Sequence, residues 1–139
     1  MTESSLWKYI RNGLIGKCHI TRIESSAGNG VPDVTLGLPG KTIWIKLKYT
    51  KEWPKRDTTK VKLPLRPEQK HWIKQRGMIS GNVWVMWRIH DEFYLIPWSK
   101  CTELTEVGAE RDDLVLSCYL YSKNRIDFEE LESVLNHGC

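Results

Sequence analysis

Apolar residues recur at helical spacing at the start of the chain. Leu6, Ile10 and Leu14 lie four residues apart, which places them on one face of a helix. Gly16 follows directly, and glycine is common immediately after the last turn of a helix. The pattern therefore predicts a first helix over residues 3–15.

Two segments with strand character come next. Residues 18–24 are rich in β-branched side chains, and residues 32–37 form a second such segment with its proline at the beginning. Residues 25–30, between them, contain mainly Ser, Gly and Asn, a composition typical of loops. Residues 38–41 read Leu-Pro-Gly-Lys, which favours a hairpin turn before the next strand.

The strand predicted over residues 42–49 alternates between an apolar and a more polar face. Side chains point to opposite faces of a strand at successive positions. One face therefore carries the three aliphatic residues Ile43, Ile45 and Leu47. The opposite face carries an aromatic residue and two cations: Trp44, Lys46 and Lys48.

Residues 50–65 form a long, proline-containing segment with no clear period, which is called the basic loop below. A loop of this length inside a compact domain is usually functional or mobile. Pro67 then begins a predicted helix at a position that proline favours. Trp72 and Ile73 are expected on its inner face, and Gly77 is expected to end it.

The last third of the chain begins with two segments typical of strands and then becomes acidic. Residues 82–89 and 93–96 predict a hairpin across a short turn at Asp91 and Glu92. Beyond it we expect a short helix near residues 99–104, a strand near 114–121 and an acidic helix from 127 to about 135. The order of elements predicts one α/β domain, in which helices flank a central mixed sheet. A length of 139 residues suits a single core.

Charge is unevenly distributed along the chain. Residues 41–76 carry 12 Lys/Arg and 3 Asp/Glu, whereas residues 91–139 carry 4 Lys/Arg and 11 Asp/Glu. A basic region of this size indicates a nucleic-acid partner. A solvated basic loop without a ligand is the alternative, and charge alone does not separate the two.

Composition excludes several other classes of protein. No apolar stretch is long enough to span a bilayer, and no membrane partner is expected. The four cysteines have neither the C-x-x-C pairing nor the histidine partners of a zinc site. Scattered cysteines of this kind are typical of reduced thiols, so we expect a cytoplasmic protein.

Three short motifs carry a resemblance to a known family. They are Gly30-Val31-Pro32-Asp33, Trp44-Ile45-Lys46-Leu47-Lys48 and Leu65-Arg66-Pro67-Glu68-Gln69. Together they resemble the PD-(D/E)xK nucleases, and within these the VRR-NUC and Holliday-junction-resolvase-like branch that viruses often carry. The resemblance covers about residues 3–97 of the single domain and leaves an acidic C-terminal extension, about residues 98–139, outside it. It implies a restriction-endonuclease-like fold and Mg²⁺-dependent hydrolysis of DNA. It also suggests a viral protein, which would be located in the cytoplasm of the host.

The resemblance also implies roles for individual residues. Asp33 corresponds to the first catalytic acid and Lys48 to the motif lysine, while Glu3 corresponds to a first-helix glutamate that completes a Mg²⁺ or Mn²⁺ site. An acidic residue favoured in the first turn of a helix is the alternative for Glu3. Gln69 corresponds to a helix glutamine near the phosphate, or is a surface residue of an amphipathic helix. Glu24 is a rival ligand, although an exposed strand residue is the better interpretation.

Position 46 departs from the family pattern, which has glutamate or aspartate where this chain has Lys46. An ammonium group has three donors and no acceptor, so it cannot ligate a cation. We expect Lys46 to pair with Asp33, metal binding to be impaired and cleavage to be largely lost. The otherwise intact motif favours a deliberate substitution over a natural inactive relative.

The expected partner is DNA, and the motif implies a branched or four-way junction held by a homodimer, since two symmetric nicks need two sites. Trp53 is expected to anchor its own loop rather than to stack on DNA, and His71 is the one histidine placed to touch it. A structure-selective endonuclease and a DNA-binding module without catalysis are the two functions that the sequence leaves open. The phosphate-binding candidates lie in the basic loop and the helix after it: Lys51, Lys55, Arg56, Lys60, Lys62, Arg66, Lys70 and Lys74.

Overall fold

A computed structural model describes residues 2–23 and 30–138 of the chain. Six strands form one sheet in the order β1-β2-β3-β4-β5-β6. The strands are β1 (His19–Arg22), β2 (Val34–Leu38), β3 (Lys41–Thr50), β4 (Val83–Ile89), β5 (Glu92–Pro97) and β6 (Leu120–Lys123). The helices are α1 (Glu3–Leu14), α2 (Pro67–Ser80), α3 (Trp98–Glu106), α4 (Arg111–Leu114) and α5 (Phe128–His137), and a 3₁₀ turn spans Val115–Ser117.

The sheet is mixed because one connection crosses over. Strands β1, β2 and β3 pair antiparallel, and so do β4, β5 and β6. Strand β3 pairs parallel with β4, with Trp44 opposite Val83, and α2 lies in the connection between them. A parallel pair requires such a crossover. The predicted α/β fold with a central mixed sheet is confirmed.

Each face of the sheet packs against its own layer of helices. On one face, Leu6, Ile10 and Leu14 of α1 pack with Ile43, Ile45 and Leu47 of β3 and with the inner side of α5. On the other face, α2, α3 and the end of the basic loop cover β4 and β5. Because side chains alternate along β3 as predicted, its three aliphatic residues lie in the first layer, and Trp44 packs against the second.

The acidic C-terminal extension belongs to the same sheet and core. Strand β6 adds to the edge of the sheet beside β5, and Leu131 and Leu135 of α5 are buried against α1. The Phe128 ring lies on Gly13, where an added Cβ would come within 2.2 Å of the ring. The predicted terminal helix is confirmed, and the Asp127 carboxylate caps it by accepting the backbone N–H groups of Glu129 and Glu130.

Three predictions about local structure are corrected. Gly77 does not end α2, which continues to Ser80 because Gly77 is buried beneath the Trp98 ring and lets α3 approach closely. The strand expected near residues 114–121 begins only at Leu120; before it, α4 and the 3₁₀ turn bury Leu114 in the second core. The short helix expected near residues 99–104 extends over Trp98–Glu106.

Two further features concern the apolar character of the helices and the state of the cysteines. Within the described residues, no helix combines the length and apolar character needed to cross a bilayer. Cys18, Cys101 and Cys118 carry free thiols, and burial raises the pKa of Cys101 above its ordinary value.

Candidate active site

Asp33 and Lys46 are brought together by the pairing of β2 with β3. Val34 pairs with Ile45 in an antiparallel register, so Asp33, one residue before β2, lies beside Lys46. Lys46 and Lys48 both point to the face opposite Ile45 and Leu47, as the sequence predicts. The three motif residues therefore meet at one end of the β2–β3 pair.

Both oxygens of the Asp33 carboxylate are engaged. The Lys46 Nζ atom donates to Oδ1 at 3.1 Å, and the backbone N–H of Leu47 donates to Oδ2 at 2.9 Å. The Lys46 side chain is only 9% exposed, whereas that of Asp33 is 35% exposed. The predicted pairing of Lys46 with Asp33 is confirmed, and it satisfies a largely buried ammonium group.

Lys48 lies in an unfavourable environment for a charged ammonium group. Burial lowers its pKa below the ordinary value of 10.5, and the neighbouring Lys46 ammonium lowers it further. Glu3 and Asp33 act in the opposite direction, and Arg66 adds to the lowering. In the described part of the chain, two cations and two carboxylates thus act on the Lys48 ammonium group.

Glu3 reaches the centre from the first turn of α1. The Thr2 hydroxyl caps this helix by accepting the Ser5 N–H. Glu3 lines a small cavity of about 50 Å³ together with Asp33, Trp7 and Arg22. The structure thus brings Glu3 near Asp33, as expected, whereas Glu24 lies outside the described residues.

Sequence reasoning missed Arg22 and Trp7 in this cavity. The Arg22 guanidinium lies 5.6 Å from the centroid of the Trp7 ring. A strand arginine carries no signal of its own in one sequence. Only the β1–β2 register, which pairs Arg22 with Val34, brings it next to Asp33.

Gln69 has a structural partner at the start of α2. Its Oε1 atom accepts the backbone N–H of Arg66 at 2.9 Å, and the residue is buried rather than on the surface. Gly30 packs on the same turn with a φ of +89°, and a Cβ there would lie 2.3 Å from the carbonyl oxygen of Glu68. These contacts fix the segment before Asp33 against α2. A role of Gln69 at a phosphate stays a prediction.

The described residues do not fit the divalent cation that the resemblance implies. Mg²⁺ prefers several carboxylate and water oxygens, and Asp33 already gives one oxygen to an ammonium group and the other to a backbone N–H. Within residues 2–23 and 30–138, no group of three or more His, Cys, Asp or Glu side chains could hold a metal ion. The Lys46 ammonium provides the positive charge that Asp33 faces.

The predicted DNA-binding cations differ in how close they lie to acidic residues. Lys51, Lys55 and Arg56 are exposed and, within the part of the chain that is described, form no ion pair. Arg66 pairs with Glu68 at 3.4 Å, close to Lys48. The remaining four lie toward the acidic side of α3 and α4: Lys60, Lys62, Lys70 and Lys74.

Three of these last four cations, Lys60, Lys70 and Lys74, have acidic neighbours. Lys70 Nζ lies 2.7 Å from Glu106 Oε1, and both Lys70 and Lys74 lower the pKa of Glu106. Lys60 lines a cavity of about 230 Å³ together with Glu103, Glu110 and Asp113. Among the candidate cations of the described residues, Arg66 and Lys70 thus form ion pairs, and Lys60 lies near three acidic residues.

Trp53 anchors the basic loop, as expected. Its ring contacts Tyr94 edge to face, with centroids 6.0 Å apart, and the Arg111 guanidinium lies 4.5 Å from its centroid. Further along the loop, Val61 exchanges backbone hydrogen bonds with Ala109, and Leu63 donates to Leu104. His71 is exposed on α2.

Comparisons with known proteins identify a solved structure whose fold is similar to that of this chain. No protein-family model matches the chain, and no curated protein matches its sequence. Among solved structures, it is similar to Hjc of Archaeoglobus fulgidus, a Holliday junction resolvase, with a TM-score of 0.54 and 17% identity. The match covers 81% of this chain and 93% of the resolvase chain. The chain thus has a resolvase-type nuclease fold.

Proposed function

We propose that this chain is a resolvase-like DNA-binding protein whose hydrolytic site is disabled by Lys46. The observation that carries the proposal is the contact between Lys46 Nζ and Asp33 Oδ1 at 3.1 Å. Position 46 keeps the place beside Asp33 that the motif gives to the second acid, but it carries a cation instead of a carboxylate. As the chain stands, it binds DNA and does not cut it.

Electrostatics support the loss of metal binding. A Mg²⁺ ion beside Asp33 would face Lys46, Lys48 and Arg66, while Glu3 is a further carboxylate that acts on Lys48. A cation bound there would be repelled at short range, where Coulomb energies in a partly buried site are several kcal/mol. With glutamate at position 46, Asp33, Glu3 and Lys48 would supply the ligands and the lysine of a PD-(D/E)xK nuclease of the VRR-NUC type.

The exposed cations support DNA as the ligand. Lys51, Lys55 and Arg56 are available for phosphates at the end of β3, on the strand that carries Lys46 and Lys48. Contacts of this kind bind the DNA backbone without reading sequence, which suits a protein that selects shape. Arg66 and then Lys60, Lys62, Lys70 and Lys74 extend the positive surface with weaker net charge.

The substrate and the assembly are the finer parts of the proposal. The similar solved structure is that of a Holliday junction resolvase. We therefore propose a branched, four-way DNA as the ligand of this chain. A homodimer would present two such surfaces related by a two-fold axis, matching the symmetry of a junction. The proposal includes a cytoplasmic location, a viral origin and a part in DNA recombination.

A second function is an active endonuclease in which Lys46 is tolerated. The observation in its favour is that Asp33 and Glu3 still line one cavity, and that both carboxylates act on Lys48. The two functions differ in their response to metal, because an active enzyme must cut with Mg²⁺ or Mn²⁺ and stop with chelator.

One experiment separates these functions. Binding of the unmodified chain to a labelled four-way junction and to linear duplex of equal length is measured by fluorescence anisotropy, with EDTA and with Mg²⁺, and the same samples are run on a denaturing gel. We expect tighter binding to the junction, similar affinity with and without Mg²⁺, and intact strands. Mg²⁺-dependent cleavage would establish the endonuclease instead, and absence of binding to either DNA would refute both.

A further inference from the structure

Glu92 is a buried carboxylate outside the candidate active site. It begins β5, and its side chain is only 7% exposed. The hydroxyl of Tyr121 on β6 donates to Oε1 at 2.5 Å, and Arg111 Nη2 on α4 donates to Oε2 at 3.2 Å. A buried charge needs such partners, so this carboxylate holds Arg111 in a fixed position.

Arg111, which Glu92 holds in place, also contacts the basic loop. Its guanidinium lies 4.5 Å from the centroid of the Trp53 ring while it donates to Glu92. A planar guanidinium can stack on an aromatic ring and bind a carboxylate at the same time, which an ammonium group cannot do as well. Arg111 therefore joins Glu92 of the sheet to Trp53 of the loop.

A row of cross-strand neighbours connects the residue under Trp53 with the candidate active site. Cross-strand pairing places Lys48 opposite Trp87, Trp87 opposite Tyr94, and Tyr94 opposite Tyr121. Paired residues share a face of the sheet, so Trp53 packs on the same face that carries Lys48. This contact fixes the loop two residues before Lys55.

The two halves of the basic loop are held differently. Its second half is fixed by backbone hydrogen bonds from Val61 and Leu63 and by their burial. Its first half carries exposed Lys55 and Arg56 and is held at the Trp53 ring. The position of these two cations thus depends on Trp53.

We propose that Arg111 and Glu92 are positioning residues for DNA binding, which hold Trp53 so that Lys55 and Arg56 are ordered before DNA arrives. The inference rests on the proposed function, in that the basic loop binds DNA phosphates. Arg111 lies in the acidic extension, so that extension supports the DNA-binding loop rather than competing with DNA. Ordering a loop in advance improves affinity because less entropy is lost on binding.

The test compares Arg111→Lys and Glu92→Gln with Tyr9→Phe. Arg111→Lys keeps the positive charge beside Glu92 and removes the planar group over Trp53. Tyr9→Phe removes the hydroxyl that accepts the Ile126 N–H at 2.8 Å on the other face of the sheet, so it perturbs the same extension without touching the loop. Circular dichroism and thermal unfolding establish that each variant is folded at the assay temperature.

Affinity for a labelled four-way junction is then measured in EDTA, for each variant alone and combined with Lys55→Ala/Arg56→Ala. We expect Arg111→Lys and Glu92→Gln to raise Kd roughly three- to tenfold. We expect Tyr9→Phe to leave Kd unchanged. In the Lys55→Ala/Arg56→Ala background the effect of Arg111→Lys should disappear, because the cations that it positions are gone.

Two results would overturn the inference: an unchanged Kd in folded Arg111→Lys and Glu92→Gln, or an undiminished effect of Arg111→Lys without Lys55 and Arg56. Should both variants fail to fold, Trp53→Leu takes their place with the same expected rise in Kd and the same cycle. Failure of the proposed function has a different signature, since Lys55→Ala/Arg56→Ala alone would then leave Kd unchanged.

Discussion

The Lys46 Nζ atom lies 3.1 Å from Asp33 Oδ1, at the place where the resemblance leads one to expect a second acid and a metal ion. The contact neutralises the aspartate with a cation that belongs to the chain itself. Because Lys46 is largely buried and Asp33 is half-buried, the pair is integral to the structure of the β2–β3 end. Both members of this pair act on the pKa of Lys48, which the Lys46 ammonium lowers and the Asp33 carboxylate raises.

Removing the Lys46 charge should raise the pKa of Lys48. Burial and then the Lys46 ammonium lower the pKa of Lys48, so Lys46→Met removes the second cause and leaves the first. Lys46→Glu should raise it further, because attraction replaces repulsion. Titration of the lysine side chains by NMR in the two variants checks both steps. An unchanged pKa in Lys46→Met would contradict the proximity of the two ammonium groups.

The lowered pKa of Lys48 also has a consequence for stability. A base with a lowered pKa binds fewer protons in the folded chain than in the unfolded chain. Its contribution to the free energy of unfolding therefore rises with pH, from the lowered pKa up to about the ordinary value of 10.5. This rise should be smaller in Lys46→Met. Urea unfolding across that pH range measures it, and an equal rise in both proteins would argue against the assignment.

DNA binding should depend more on the first half of the basic loop than on α2. Lys55→Ala/Arg56→Ala removes two exposed, unpaired cations, whereas Lys70→Ala/Lys74→Ala removes two cations beside Glu106 and serves as the matched control. Each phosphate that a variant no longer neutralises should make the slope of log K against log salt shallower by about 0.9. We therefore expect the slope to fall by roughly 1.8 in the first variant and by clearly less in the second, measured by anisotropy at several salt concentrations. Equal changes of slope would show that DNA follows α2 as well.

The contact between α1 and α5 predicts a destabilised Gly13→Ala variant. Alanine normally favours a helix over glycine by about 1 kcal/mol. Here its methyl group would meet the Phe128 ring, so we expect a net loss of about 1–3 kcal/mol in the free energy of unfolding. Asn12→Ala, at the exposed neighbouring position, is the control and should be neutral or stabilising. A stabilised Gly13→Ala variant would mean that α5 does not pack on α1 as described.

The residues predicted correctly from the sequence are those fixed by local rules. The two-residue period of β3 separates Lys46 and Lys48 from Ile45, and a short hairpin brings Asp33 beside Lys46. The errors arise where a distant partner decides the structure. Gly77 continues a helix because Trp98, 21 positions later, packs on it, and Leu114 is helical because the second core buries it. The contact of Arg111 with Trp53 joins elements that no local pattern relates.

Gln69 illustrates the same limit within the motif itself. Its position near the start of α2 could be predicted, but not that its oxygen caps that helix or that Gly30 packs on the same turn. A capping residue and a phosphate-binding residue have the same appearance in one sequence. Arg22 was missed for a related reason, because its approach to Asp33 depends on strand register.

Cleavage of a four-way junction by Lys46→Glu tests most directly whether Lys46 alone disables a nuclease site. The variant returns a carboxylate beside Asp33, and we expect it to nick the junction with Mg²⁺ or Mn²⁺ and to leave it intact with EDTA. The unmodified chain, assayed in parallel, should bind the same DNA without cutting it.

Second substitutions in the Lys46→Glu chain provide the controls. Asp33→Asn should abolish cutting, Lys48→Ala should reduce the rate roughly a hundredfold or more, and Glu3→Gln should reduce it less. Glu24→Gln should have the smallest effect. If Lys46→Glu folds and binds junction DNA yet cuts no branched, linear or single-stranded DNA with either metal, the nuclease assignment is wrong. The chain would then be a DNA-binding module that has kept only the fold.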